Sequence, residues 1–176
     1  MKLRTYLVAA ITIACFAASI SAQVKKAPKF MSVYTNLKTA CRSYDGSNGS
    51  DGYSICKGPG GYQVRIYYSA ATTQINAERK GKDDHFPIAT AAYGFDWGKS
   101  RIEWRLANGK PFAVIMRIPK YADPADGEYI GKVIGQELVV AGLLGFESLS
   151  TTIDAKTAGA NALAREAADA EYLAKK

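Results

Sequence analysis

Polar and apolar positions alternate through most of the chain with a period of two, which belongs to half-buried strands. Tyr62, Val64, Ile66 and Tyr68 alternate with Gln63, Arg65 and Tyr67. Ile102, Trp104 and Leu106 alternate with Arg101, Glu103 and Arg105; after Asn108-Gly109 come Phe112, Val114, Met116 and Ile118. Asn-Gly between two such segments is a strong hairpin signal, because both central residues of the favoured turn take positive φ. The pattern predicts an antiparallel hairpin over 101–118, burying Ile102, Trp104, Leu106, Phe112, Val114, Met116 and Ile118 on one face. Further strands are expected at 31–37, 73–78, 129–140 and 145–153. The Asp/Gly/Asn/Ser stretch at 43–54 reads as an exposed loop, Gly58-Pro59-Gly60-Gly61 as a turn, and 122–127 as a loop.

The period changes at the end of the chain. Residues 158–175 are rich in alanine, with Leu163, Ala167, Ala170 and Leu173 near helical spacing and Thr157 or Asn161 available as a cap. Such a weakly amphipathic helix is expected to lie on the sheet rather than inside it, packed on one end or edge. The fold class predicted is mainly β: an antiparallel β-sandwich or partly open β-barrel with a C-terminal α-helix, as one domain over 31–176.

The first residues carry a different pattern. Lys2 and Arg4 precede an uncharged run from 6 to 20, and small residues follow at Ser19, Ser21 and Ala22. That order is the one a secretory signal peptide has, and 1–22 is read as such, with cleavage after Ala22 or Ser21. An uncleaved anchor and a lipoprotein modified at Cys15 are the alternatives. The apolar run is shorter than the roughly 20 residues a spanning helix needs. Residues 23–30, with Pro28 and three lysines, read as a flexible lead-in.

Removing 1–22 changes the cysteine and charge counts. Of three cysteines, Cys41 and Cys56 remain, and export would place them in an oxidising compartment. The fourteen residues between them contain turn-forming Asp-Gly and Asn-Gly pairs, so a Cys41–Cys56 disulfide is expected. Closing a loop of this size stabilises by about 3 kcal/mol. Net charge falls from +7 to +5 (21 basic minus 16 acidic residues), spread along the chain. An excess of this size is first what keeps a small protein soluble; it also favours anionic surfaces but is not a concentrated nucleic-acid footprint.

Candidate chemistry is sparse. His85, the sole histidine, follows Asp83-Asp84, where a polar turn before Phe86-Pro87 explains it better than a base or metal ligand. Gly94 to Ser100 ends in Gly-Lys-Ser but has three residues rather than four between its glycines, two of them aromatic, and is not a phosphate loop. Asp123, Asp126 and Glu128 lack calcium-loop spacing. No catalytic residue, metal site or cofactor is predicted. Arg65, Arg101 and Arg105 fall on outward faces, and with Tyr67 and Trp97 they are the residue types of a recognition surface and form the candidate site; the bland alternative, which the pattern favours, puts Trp97 and Trp104 in the core and leaves the arginines solvated.

Three stretches carry a resemblance: Cys56 to Tyr62 leading into an alternating strand; Glu103-Trp104-Arg105, an Asn-Gly turn and Pro111 to Arg117; and Ala160 to Arg165 opening the last helix. In these the chain resembles a group of small, uncharacterised, signal-peptide-bearing exported proteins of Gram-negative bacteria. The resemblance implies export and fold and supplies no function. Relatives carry a further cysteine pair near the C-terminus, which this chain lacks. The expectation is a non-enzymatic periplasmic or secreted binding domain. Its partner would be a protein or an anionic envelope component, with no nucleic acid and no stable membrane span after cleavage. A lysozyme-inhibitor-like protein, using the loop Arg42 to Ile55 as a plug, is the first alternative. A hydrolase of an envelope polymer with converging carboxylates is the second.

Overall fold

A computed structural model of the chain describes residues 27–45, 52–69, 72–92, 95–127 and 131–176. The expected signal peptide, the first four residues of the lead-in and the tip of the 43–54 loop lie outside the described residues. Two antiparallel five-stranded sheets face each other. The front sheet is a meander of β2 (Cys41–Asp45), β3 (Gly52–Lys57), β4 (Tyr62–Tyr68), β5 (Thr72–Arg79) and β6 (His85–Ala92). The back sheet runs β1 (Phe30–Asn36), β7 (Arg101–Ala107), β8 (Lys110–Tyr121), β9 (Val133–Gly142) and β10 (Ser150–Asp154). The arrangement is a sandwich and not a closed barrel, because β1 and β10 end one sheet and β2 and β6 the other. Among the described residues no helix is long and apolar enough to cross a membrane.

The hairpin forms as its sequence requires. Asn108 and Gly109 take φ of 51° and 80° between the paired residues Ala107 and Lys110. The seven-residue face is correct except at Phe112. Arg105 pairs with Ala113 but Leu106 pairs with Pro111, so Phe112 is the extra residue of a β-bulge. The bulge turns Phe112 away from the inter-sheet core into a second core beneath the C-terminal helix. Ile102, Trp104, Leu106, Val114, Met116 and Ile118 meet Val64, Ile66, Ile75 and Phe86 of the front sheet. Buried Trp104 donates its indole N–H to Thr35 Oγ1 (2.9 Å), and that hydroxyl donates to the Lys57 carbonyl (3.1 Å). The pair satisfies a buried donor and ties β1 and β7 to β3 across the sandwich.

Two short turns carry the chain between sheets. A helical turn, α1 (Leu37–Ala40), capped by the Asn36 side chain on Lys38 N, leads from β1 to β2. A 3-10 turn at Trp97–Lys99 leads back toward β7, and Leu37 N bonds the Ser100 carbonyl. The expected disulfide is present: Cys41 and Cys56 pair directly across β2 and β3. Residues 43–45 and 52–54, expected in a loop, are therefore paired strand.

The C-terminal helix, α2 (Ala160–Ala174), lies across the outer face of the back sheet rather than at its end or edge. Its buried stripe is Ala160, Ala164, Ala168 and half-buried Tyr172, whereas Leu163 and Leu173 are exposed. Two causes select that face. Alanines at a spacing of four let the helix approach the sheet closely, and the neighbouring Arg165 and Asp169 find opposite charges on β7. Tyr172 fills the groove between Phe30, Phe112 and Phe146, with ring centroids 5.6, 4.9 and 5.3 Å away. Gly159, at φ 72°, precedes the helix in place of either predicted cap.

Candidate functional site

With the back sheet covered by α2, the outer face of the front sheet is the broad surface that no described element covers. Register sets what it displays. Cys41 opposite Cys56 places Arg42 opposite Ile55 and Tyr44 opposite Tyr53; β3 and β4 then set Tyr53 opposite Tyr67 and Ile55 opposite Arg65. Tyr44, Tyr53 and Tyr67 thus form a row across three adjacent strands. The first two rings stack at 5.0 Å and 17°, and the next pair lies at 6.2 Å. The Arg65 guanidinium sits over both Tyr53 (5.0 Å) and Tyr67 (5.7 Å).

Arg65 is held there from below. Its Nε donates to Glu78 Oε1 at 2.7 Å, while Gln63 Nε2 donates to Oε2 at 3.2 Å. Burial works to raise the Glu78 carboxyl, but the hydrogen bonds from Arg65 and Gln63 and the Arg65 charge outweigh it and hold the group below the usual range. The Glu78 hydrogen bond in turn raises Arg65 against the smaller effect of burial. Glu78 is thereby spent on fixing the arginine. His85, at the start of β6, joins this cluster with Nδ1 3.2 Å from Glu78 Oε1 and Nε2 3.6 Å from Asp83 Oδ1.

Beside the tyrosine row runs an open groove of about 610 Å³, bounded by Tyr44, Ile55, Gln63 and the turn before Tyr62. Three cations, Arg42, Lys57 and Lys80, line it, and no acid does. Each is exposed, and none has an ion-pair partner among the described residues. The face therefore combines aromatic surface, a guanidinium held by Glu78 and three exposed positive charges without ion pairs among the described residues. Such a set is chemically suited to extended anions, through stacking and charge. Among the described residues no three His, Cys, Asp or Glu side chains converge to hold a metal ion.

The five residues singled out from sequence do not form one surface. Arg65 and Tyr67 meet on the front sheet. Trp97 lies half-buried in the 3-10 turn, packed against the inter-sheet core. Arg101 is exposed on the back sheet. Arg105, expected on an outward face, is buried beneath α2 and paired with Asp169. Sequence reasoning missed Arg42, Tyr44, Tyr53, Lys57 and Lys80. A signal for the first four existed: treating the Cys41–Cys56 disulfide as a cross-strand pair sets Tyr44 opposite Tyr53 by counting three residues inward from each cysteine. Compared with protein-family models, curated proteins and solved structures, the chain finds no match.

Proposed function

We propose that the chain is an exported, non-enzymatic binding domain whose front-sheet face engages an anionic polymer of the bacterial envelope. The observation that carries this reading is the row Tyr44–Tyr53–Tyr67 with Arg65 fixed over it, beside a groove whose charged residues are all cations. Basic Lys2 and Arg4, the apolar run and the small residues before Gln23 support export, as does the disulfide, a bond that persists in oxidising compartments. Tyrosine and arginine together are the residues on which binding energy concentrates.

The lysozyme-inhibitor reading loses ground on charge. Arg42, Lys57 and Lys80 beside the proposed plug would slow the encounter with a basic enzyme. The test is retention of the chain lacking residues 1–22 on immobilised dextran sulfate, with uncharged dextran as control. Retention on the sulfated polymer, falling with salt and weakened about tenfold in Y44A/Y67A and in R42Q/K57Q, is expected. Equal retention on both polymers, or retention unmoved by both variants, refutes the proposal.

A further inference from the structure

A second cavity, of about 370 Å³, opens on the other side of the molecule, where the back sheet extends past the first turn of α2. Its floor is apolar: Ile115 and Leu138, each 3 % exposed, belong to the core beneath the helix. Its walls are the Tyr34 and Phe95 rings, and Arg101 and Arg117 stand at its side. Ile102 pairs with Met116, so continuing the antiparallel register by one residue sets Arg101 opposite Arg117 on the face that carries Glu103 and Ile115. Two like charges directly opposite on neighbouring strands repel, which is a cost to the fold unless an anion lies between them.

The other charges around the cavity are already balanced. Glu103 is bound by Arg165 through both carboxylate oxygens, at 2.6 and 3.1 Å, and Asp96 by Lys99 at 2.9 Å. Arg117 has only long contacts to neutral oxygens, Gln136 Oε1 at 3.5 Å and Asn161 Oδ1 at 3.4 Å. Arg101 has no side-chain partner among the described residues. Two uncompensated guanidinium groups therefore flank a hollow with polar sides and an apolar floor, within the range of about 300–1,000 Å³ that small-molecule sites occupy. We infer that this cavity is a binding site for a small amphiphilic carboxylate, its head between Arg101 and Arg117 and its apolar body over Ile115 and Leu138. The site is separate from the front-sheet face and does not depend on the function proposed for it.

The experiment is calorimetric titration of the chain lacking residues 1–22 with decanoate, acetate and inorganic phosphate at low ionic strength. Decanoate should bind saturably below about 1 mM, and acetate and phosphate should not. In R101Q/R117Q decanoate binding should weaken about tenfold, and in Y44A/Y67A it should be unchanged. Amide chemical shifts of the unaltered protein supply a readout that needs no substitution: decanoate should move Arg101, Ile115, Arg117 and Leu138. No saturable decanoate binding, equal affinity in R101Q/R117Q, shifts confined to other residues, or phosphate binding as tightly as decanoate would each overturn the inference.

Discussion

Replacing Asp169 by alanine should destabilise the domain far more than a surface substitution on a C-terminal helix normally would. Asp169 binds Arg105 through both carboxylate oxygens, Oδ1 from Nε at 3.0 Å and Oδ2 from Nη2 at 2.5 Å. The Arg105 side chain is 8 % exposed and that of Asp169 22 %. Arg105 Nη1 also donates to Ser32 Oγ (2.8 Å), and the Ser32 hydroxyl donates to Glu103, which Arg165 holds. In Asp169→Ala the guanidinium stays under the helix without its counter-charge. Breaking a buried pair in this way costs about 3–5 kcal/mol. Because Asp169 keeps a fifth of its surface in water, the lower end applies, about 3 kcal/mol. With a urea dependence of about 2 kcal/mol/M, the unfolding midpoint should drop by about 1.5 M. The assay is urea unfolding followed by tryptophan fluorescence, with Leu173→Ala on the exposed side of α2 as control. The companion R105M/D169L should recover most of the loss, since an apolar pair needs no counter-charge. A midpoint shift in Asp169→Ala below about 0.3 M would refute the reasoning, because it would place Arg105 in solvent.

Two further outcomes concern the buried carboxyl groups and the disulfide. Burial works to raise the Glu103 carboxyl, but hydrogen bonds from Arg165 and Ser32 and the Arg165 charge outweigh it and hold the group below its ordinary range; Glu78 is held low in the same way by Arg65 and Gln63. A carboxyl lower in the folded than in the unfolded chain contributes stability that is complete above the unfolded value, about 4.3, and is lost as pH falls through the folded one. Urea midpoints should therefore fall below about pH 4.5; Glu103→Gln should flatten part of that fall, and an undiminished slope would remove Glu103 from the account. Reducing Cys41–Cys56, or replacing both cysteines by serine, should cost about 3 kcal/mol. Thermal unfolding with and without reductant measures it, and an unchanged midpoint after complete thiol release would show that the β2–β3 pairing holds without the bond.

What the sequence disclosed follows from how far apart the determining residues lie. The 101–118 hairpin was legible because Asn108-Gly109 and both alternating arms are contiguous, and the disulfide because two cysteines remain after Cys15. Strand β6 was not, since Pro87 argues against a strand; it is tolerated because β6 is an edge. The bulge at Phe112 has no local mark, and one extra residue is enough to move a ring from one core to another. Arg105 reads as solvated because its partner stands 64 positions away. One relation was available. Glu103 and Arg105, two apart on a strand, are separated by about 6.6 Å, while Arg165 and Asp169, four apart on a helix, are separated by about 6 Å. The opposite signs in matching order, Glu-x-Arg against Arg-x-x-x-Asp, identify both the buried side of α2 and its direction along β7.

The division of labour proposed for the front face has a kinetic consequence. Tyr44 and Tyr53 are already stacked, and Arg65 is clamped between Glu78 and two rings, so a ligand arriving there has little side-chain freedom left to remove. Contacts to such a preorganised surface act mainly on how long a complex lasts. Arg42, Lys57 and Lys80 make no ion pairs among the described residues and line the groove; in the proposed function their part is to attract an anion before contact. The two sets of residues should therefore separate in surface-plasmon measurements on dextran sulfate. Y44A/Y67A should raise the dissociation rate about tenfold with little change in association. R42Q/K57Q/K80Q should slow association and remove most of its dependence on salt. If the tyrosine variant instead slowed association while dissociation stood still, the rings would not be a contact surface, and the row Tyr44–Tyr53–Tyr67 would be packing that braces Arg65.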